Sequence, residues 1–156
     1  MIEVGKKAPA FALPDQDGKT ITLDSLKGKW AALYFYPKDD TPGCTIEGIE
    51  FSARQTEFKE IGAVVYGISG DDAKSHCAFR AKHKLGIPLL TDKDKKMMKQ
   101  YGAFKENLLY GRSFLGIVRS TVLLDPQGKI VHRWPKVNAQ GHAEQVLKKL
   151  GELQNK

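Results

Sequence analysis

Lys29-Trp-Ala-Ala-Leu-Tyr-Phe-Tyr-Pro-Lys-Asp-Asp-Thr-Pro-Gly-Cys-Thr-Ile-Glu47 is the stretch on which the fold turns. Trp30 to Tyr36 is apolar and aromatic without alternation, the pattern of a strand covered on both faces. Pro37 ends it, because proline offers no N–H to a ladder. A loop over Lys38–Gly43 follows. A helix is then expected from about Cys44 to Ile61, with Gly62 as its stop. Ile46, Ile49, Ala53, Phe58 and Ile61 supply its apolar stripe.

Working outward, Phe11–Leu13 and Thr20–Leu23 read as short strands joined by the turn Pro14–Gly18. Asp24-Ser25 would cap one helical turn ending at Gly28. Downstream, Ala63 to Ser69 is a second buried-type strand. Asp71-Asp72 caps a helix running to about Leu85, closed by Gly86 and Pro88. Leu89-Leu90 is a short strand, and Asp92 or Asp94 caps a helix ending at Gly102. Phe104 to Val118 has no clear period and is broken by Gly111 and Gly116. Ser120–Leu124 and Lys129–Trp134 form a hairpin around Asp125-Pro-Gln-Gly128. The last helix, about Gly141 to Leu153, carries Val146, Leu147, Leu150 and Leu153 on one side. The expected class is α/β, with a central mixed sheet flanked by helices and an N-terminal hairpin.

At 156 residues the chain is expected to form a single domain over 1–156. No apolar run approaches the roughly 18 residues of a membrane span, and Met1 to Phe11 lacks a signal-peptide pattern, so the expected location is cytoplasmic, off the membrane. The formal charge is +7, from 25 Lys and Arg against 18 Asp and Glu. The lysines are spread from Lys6 to Lys156, and the clusters Lys93–Lys99 and Lys82–Lys84 are short and interrupted. That pattern fits a solvated surface better than a nucleic-acid footprint. His76, His83, His132 and His142 lack metal-ligand spacing, Asp15-Gln-Asp17-Gly18 does not fit a calcium loop, and Trp30 and Trp134 read as core or rim residues.

Two cysteines, Cys44 and Cys77, are too few for a secreted disulfide framework, and no CxxC pair exists. Cys44 sits at a helix start, where free N–H groups and the positive end of the macrodipole converge. Both favour thiolate over thiol, so Cys44 is expected to be reactive. Thr41, three residues earlier, can turn its hydroxyl toward the same point or serve as a helix cap. Pro37 and Pro42 stiffen the loop between them.

Pro37-x-x-x-Thr41-x-x-Cys44 resembles the active-site signature of the peroxiredoxins. The wider context, Tyr36-Pro-Lys-Asp-x-Thr-Pro-Gly-Cys-Thr45, resembles the bacterioferritin comigratory protein or PrxQ subfamily. So do Ser75-His76 with Phe79, Pro88–Asp92, Gly111–Thr121, Asp125–Ile130 and Gly141-His-Ala143, so the resemblance spans essentially the whole chain. It implies a thioredoxin-like fold and a peroxidase acting on hydrogen peroxide and organic hydroperoxides. Thiol chemistry alone is implied, without metal, haem or flavin, with thioredoxin or a similar dithiol protein as electron donor and a monomer as the usual state.

Residue by residue, the resemblance makes Cys44 the peroxidatic cysteine and Thr41 the hydroxyl that bonds the peroxide. Pro37 shields the nascent sulfenate, Arg119 stabilises the thiolate and the transition state, and Glu47 orients the arginine. The alternatives are a surface role for Arg119 and a first-turn acid at Glu47. Many members of the subfamily carry a resolving cysteine five residues after the peroxidatic one, where this chain has Ile49. Two readings therefore stand for Cys77. It is the resolving cysteine, as in members with that residue in the later helix, or it is a small core residue on a stripe with Ala73 and Ala81. The second reading makes the chain a single-cysteine peroxidase reduced by an external thiol. Outside enzymes, the rival is a basic binding protein on the same scaffold.

Overall fold

The computed structural model describes residues 2–109 and 112–155, with side chains described outside 105–115. Gly111 lies outside the described residues. The elements in chain order are β1 (Ala12–Pro14), β2 (Thr20–Thr22), a 3-10 turn (Asp24–Leu26), β3 (Trp30–Phe35), α1 (Pro42–Ala53), α2 (Gln55–Glu60), β4 (Ala63–Ser69) and α3 (Ala73–His83). They continue with β5 (Leu89–Thr91), α4 (Lys96–Gln100), β6 (Phe104–Leu109), β7 (Arg112–Ile117), β8 (Ser120–Leu124), β9 (Ile130–Trp134) and α5 (His142–Gln154).

The central sheet has the order β5-β4-β3-β8-β9. β3 pairs parallel with β4, as β4 does with β5, whereas β8 runs antiparallel to β3 and to β9. The expected mixed sheet is therefore present, and β3 lies at its centre with both faces covered. Alternation along β3 decides what meets what. Ala31, Leu33 and Phe35 point to a core shared with Ile68, Leu90, Met98 and Tyr101. Ala32, Tyr34 and Tyr36 point to the opposite core, with Phe51, Phe58, Phe79, Val146 and Leu150. This two-sided burial explains the unbroken apolar run in the sequence. β1 and β2 form the N-terminal hairpin, closed by the Asp15 carboxylate accepting from the Asp17 and Lys19 N–H groups at 2.9 and 3.0 Å.

Two local expectations need correction, and one stretch without a clear period gains its assignment. The helix expected over Cys44–Ile61 is two helices, broken at Arg54 (φ −106°, ψ 9°), and it begins at Pro42. Thr41 is the N-cap residue and Pro42 the first helical residue, where the missing N–H costs nothing. The expected stripe is also misplaced. Ile46 and Ile49 are 41 % and 44 % exposed and Ala53 is exposed, while Cys44, Glu47, Gly48 and Phe51 face inward. Finally, Phe104–Leu109 and Arg112–Ile117, in a stretch whose sequence shows no clear period, form the antiparallel pair β6–β7. Among the described residues, no helix is long and apolar enough to cross a membrane.

Candidate active site

The site lies beyond the carboxyl end of β3, between its parallel neighbour β4 and its antiparallel neighbour β8. Such switch points leave a crevice that loops can line. The chain leaves β3 through Tyr36 and Pro37, loops over Lys38–Asp40, and enters α1 at Pro42. Cys44 is thus the third residue of α1, and its N–H is one of the groups without an intrahelical acceptor. Its side chain is 2 % exposed.

Register across the sheet delivers the arginine. Phe35 of β3 pairs with Ser120 of β8, so Arg119, just before β8, lies next to the strand end that feeds the loop. Its carbonyl accepts the Val137 N–H at 3.0 Å, which fixes the backbone there. The guanidinium spans two acceptors: Nη2 donates to Cys44 Sγ at 3.2 Å and Nη1 to Glu47 Oε1 at 2.7 Å. One planar fork thereby ties two residues a helical turn apart to a third, 72 and 75 positions away. Burial works against the charge of Arg119, but Glu47 and Cys44 outweigh it and raise its pKa.

Glu47 is fully buried, and its Oε2 has no hydrogen-bond partner among the described residues. Burial pushes this carboxyl up to about 7, against the pull of Arg119. Beneath the site, Tyr34 stacks on Phe51 with ring centroids 4.6 Å apart. Burial first, then the nearby Glu47 and Cys44, hold its hydroxyl well above the usual tyrosine range, so it stays neutral. Thr41 does not cap the helix through its side chain. Its hydroxyl donates to the Lys38 carbonyl at 2.8 Å, which leaves the oxygen lone pairs free to accept. Pro37 is exposed at the start of the loop.

The structure therefore brings Cys44, Arg119 and Glu47 together, with Thr41 three residues before Cys44. Arg119 is not a surface residue, and Glu47 is not a solvated first-turn acid. Cys77 lies apart. It is exposed on α3, its thiol donates to the Gln16 carbonyl at 3.1 Å, and both cysteines are free thiols. The core reading of Cys77 fails, since Ala81 on the same stripe is also exposed. The stripe failed because α3 buries the face carrying His76 and Phe79 instead.

The sequence reading passed over Gly43. A Cβ there would stand 2.9 Å from Arg119 Nη2, so only glycine leaves room for the guanidinium over the first turn of α1. Thr-Pro as cap and first helical residue was the available signal that Gly43 lies inside the helix rather than in the loop. Among the described residues, no group of three or more His, Cys, Asp or Glu is placed to hold a metal ion.

Residues 4–133 match the AhpC/TSA family. A putative peroxiredoxin, bcp, of Coxiella burnetii is 46 % identical over 149 residues, covering 96 % of this chain and 99 % of that protein. Peroxiredoxin Bcp of Bacillus subtilis is 39 % identical over 155 residues, with 99 % of each chain covered. Among solved structures, the bacterioferritin comigratory protein of Xanthomonas campestris, studied for its alkyl peroxide reduction activity, superposes with a TM-score of 0.91. It is 41 % identical and covers 96 % of this chain and 98 % of its own. A cysteine-to-serine variant of Xylella fastidiosa PrxQ gives 0.93 at 37 % identity, covering 99 % and 98 %. The expected thioredoxin-like fold is thus the fold of the family. With the family matched over residues 4–133 and relatives named peroxiredoxin aligned over nearly the whole chain, this chain belongs to the AhpC/TSA family as a peroxiredoxin of the Bcp/PrxQ group.

Proposed function

We propose that this chain, working as one domain, reduces hydrogen peroxide and small organic hydroperoxides with Cys44 as the attacking sulfur. The observation that carries this reading is the Arg119 fork, 3.2 Å from Cys44 Sγ and 2.7 Å from Glu47 Oε1. The Cys44 thiolate attacks the terminal oxygen of the peroxide. An S–O bond forms and the O–O bond breaks. Cys44 becomes a sulfenic acid, and the leaving alkoxide or hydroxide takes up a proton. Negative charge moves from sulfur to oxygen, and a fixed guanidinium that already faces the sulfur stabilises that charge without reorganising. Thr41, its own hydrogen engaged by Lys38, can accept from the peroxide hydroxyl. Glu47 holds the fork in plane, and Pro37 shields the sulfenate on the loop side.

Cys77 then resolves the sulfenic acid as an intramolecular disulfide, and thioredoxin or a similar dithiol protein reduces it. Its exposure supports this reading, because a resolving thiol must be free to move and its disulfide must be reachable. The setting is the cytoplasm, the working unit a monomer, and neither nucleic acid nor membrane takes part. Peroxide consumption with and without a thioredoxin system tests the whole reading. Wild-type protein should consume peroxide catalytically only with the donor, and Cys44→Ser should consume none. Cys77→Ser should spend one equivalent and then turn over poorly. Wild-type turnover in Cys77→Ser would establish the single-cysteine route instead, and salt-sensitive nucleic-acid binding without peroxide consumption would favour the binding protein.

A further inference from the structure

The loop in front of Cys44 is held by α3 at three levels. Ahead of the helix, the Asp39 N–H donates to Asp71 Oδ2 at 2.8 Å. In its first turn, the buried Asp39 carboxylate accepts from Ser75 Oγ at 2.8 Å and His76 Nδ1 at 2.7 Å, and also from the Tyr36 hydroxyl at 2.6 Å. At its far end, Lys82 Nζ and His83 Nε2 donate to Asp40 at 2.7 and 2.8 Å. Asp40 holds this pose at φ +58°, a conformation non-glycine residues seldom adopt.

His76 is the centre of this arrangement. It is fully buried, and its Nε2 lies 3.1 Å from the Leu90 carbonyl. Nδ1 faces the Asp39 carboxylate and Nε2 the Leu90 carbonyl, and a hydrogen bond to a carboxylate is charge-assisted. Cys77 follows His76 directly in the chain. Cys44 follows Asp39 by five residues. One buried pair therefore ties the two cysteine-bearing segments together.

The two sulfurs face different neighbours, Arg119 for Cys44 and the Gln16 carbonyl for Cys77. A disulfide needs the sulfurs within about 2.05 Å and the Cα atoms within roughly 7 Å. We propose that His76 is a positioning residue whose bond to Asp39 latches α3 to the active-site loop, and that release of this latch sets the rate of disulfide formation. The inference rests on Cys77 being the resolving thiol. In the step it governs, the Cys77 thiolate attacks the sulfenic sulfur of Cys44. The S–S bond forms, the S–O bond breaks, and the departing hydroxide combines with the proton Cys77 released to give water.

The test is rapid mixing of the full reduced chain with one equivalent of hydrogen peroxide, resolving Cys44 oxidation from the later disulfide phase. In His76→Gln the longer amide can still reach Leu90 but not Asp39. In His76→Asn the shorter amide keeps Asp39. Disulfide formation should speed up about tenfold or more in His76→Gln, the size expected for losing one charge-assisted bond. His76→Asn should restore a rate near wild type, and the oxidation phase should be unchanged in both. The variant Lys82→Ala removes one bond to the exposed Asp40 and leaves the His83 ring against Phe79 in place. It should accelerate the same phase severalfold, which keeps the latch testable if His76→Gln does not fold. An unchanged disulfide rate in these variants, or both phases falling together, overturns the latch alone. Absence of any Cys44–Cys77 disulfide in the wild type overturns the resolving role and the latch with it.

Discussion

At Cys44 the decisive quantity is the position of one guanidinium. Arg119 reaches Cys44 and Glu47 together because its donors form a rigid fork, and an ammonium cannot span the same two acceptors. Arg119→Lys should therefore lower the second-order rate constant for peroxide by about tenfold or more, measured on the pre-reduced protein. An unchanged constant would show that charge alone suffices. Gly43→Ala separates stability from catalysis. Alanine in a helix is favoured over glycine by up to about 1 kcal/mol, so α1 should not be weakened. Yet the new methyl would stand 2.9 Å from Arg119 Nη2, and the guanidinium must withdraw from Cys44 or Glu47. The expected outcome is an equal or higher melting temperature with a peroxide rate constant about 10- to 100-fold lower. A variant as fast as wild type would mean the close approach is dispensable.

At the level of elements, α3 is marked by its ends. Asp72 caps it, its carboxylate accepting the Ser75 N–H at 2.8 Å, as the sequence leads one to expect. The other end is less legible. Gly86 looks like the stop, but the left-handed residue is Lys84, at φ 53° and ψ 46°. A lysine there carries the steric cost that glycine avoids. Lys84→Gly should raise the unfolding free energy by about 1 kcal/mol in urea titrations, and a lower value would show that the lysine side chain compensates. The misread stripe of α1 has a related cause. Periodicity assigns Ile46 and Ile49 inward, yet the helix buries Glu47 and Gly48 because Arg119 and the Leu85 side chain meet it there. Those partners lie outside any local window.

For the molecule as a whole, Glu47 couples the site to stability. Its carboxyl is pushed up to about 7 by burial, against the pull of Arg119, so the folded state binds this proton more tightly than the unfolded chain. Stability contributed by the neutral form is full below the unfolded value near 4.5 and is lost as pH rises through about 7. The loss amounts to about 3 kcal/mol. Urea unfolding from pH 5 to pH 8 should show this decline in the wild type. It should be largely removed in Glu47→Gln, whose amide oxygen can still accept from Arg119. Equal slopes in the two proteins would mean that Glu47 is ionised throughout.

Apart from the break at Arg54 and the pair β6–β7, the order of strands and helices, the two-sided burial of β3, the hairpin around Asp125–Gly128 and the place of Cys44 in the first turn of a helix are legible in the chain itself. Hydrophobic period, turn residues and helix starts are local properties, each written within a dozen residues. Arg119 is legible only through family resemblance, since nothing in its immediate neighbourhood separates it from any other arginine before a strand. The sheet order decides the rest. Placing β8 against β3 carries Arg119 to a cysteine 75 residues earlier, and that meeting allows Glu47 to be buried. The exposed thiol of Cys77 and the bond from His76 to Asp39 likewise follow from how α3 packs against the loop. A buried charge is tolerated only beside its partner, and no residue can specify alone a partner that tertiary packing must bring to it.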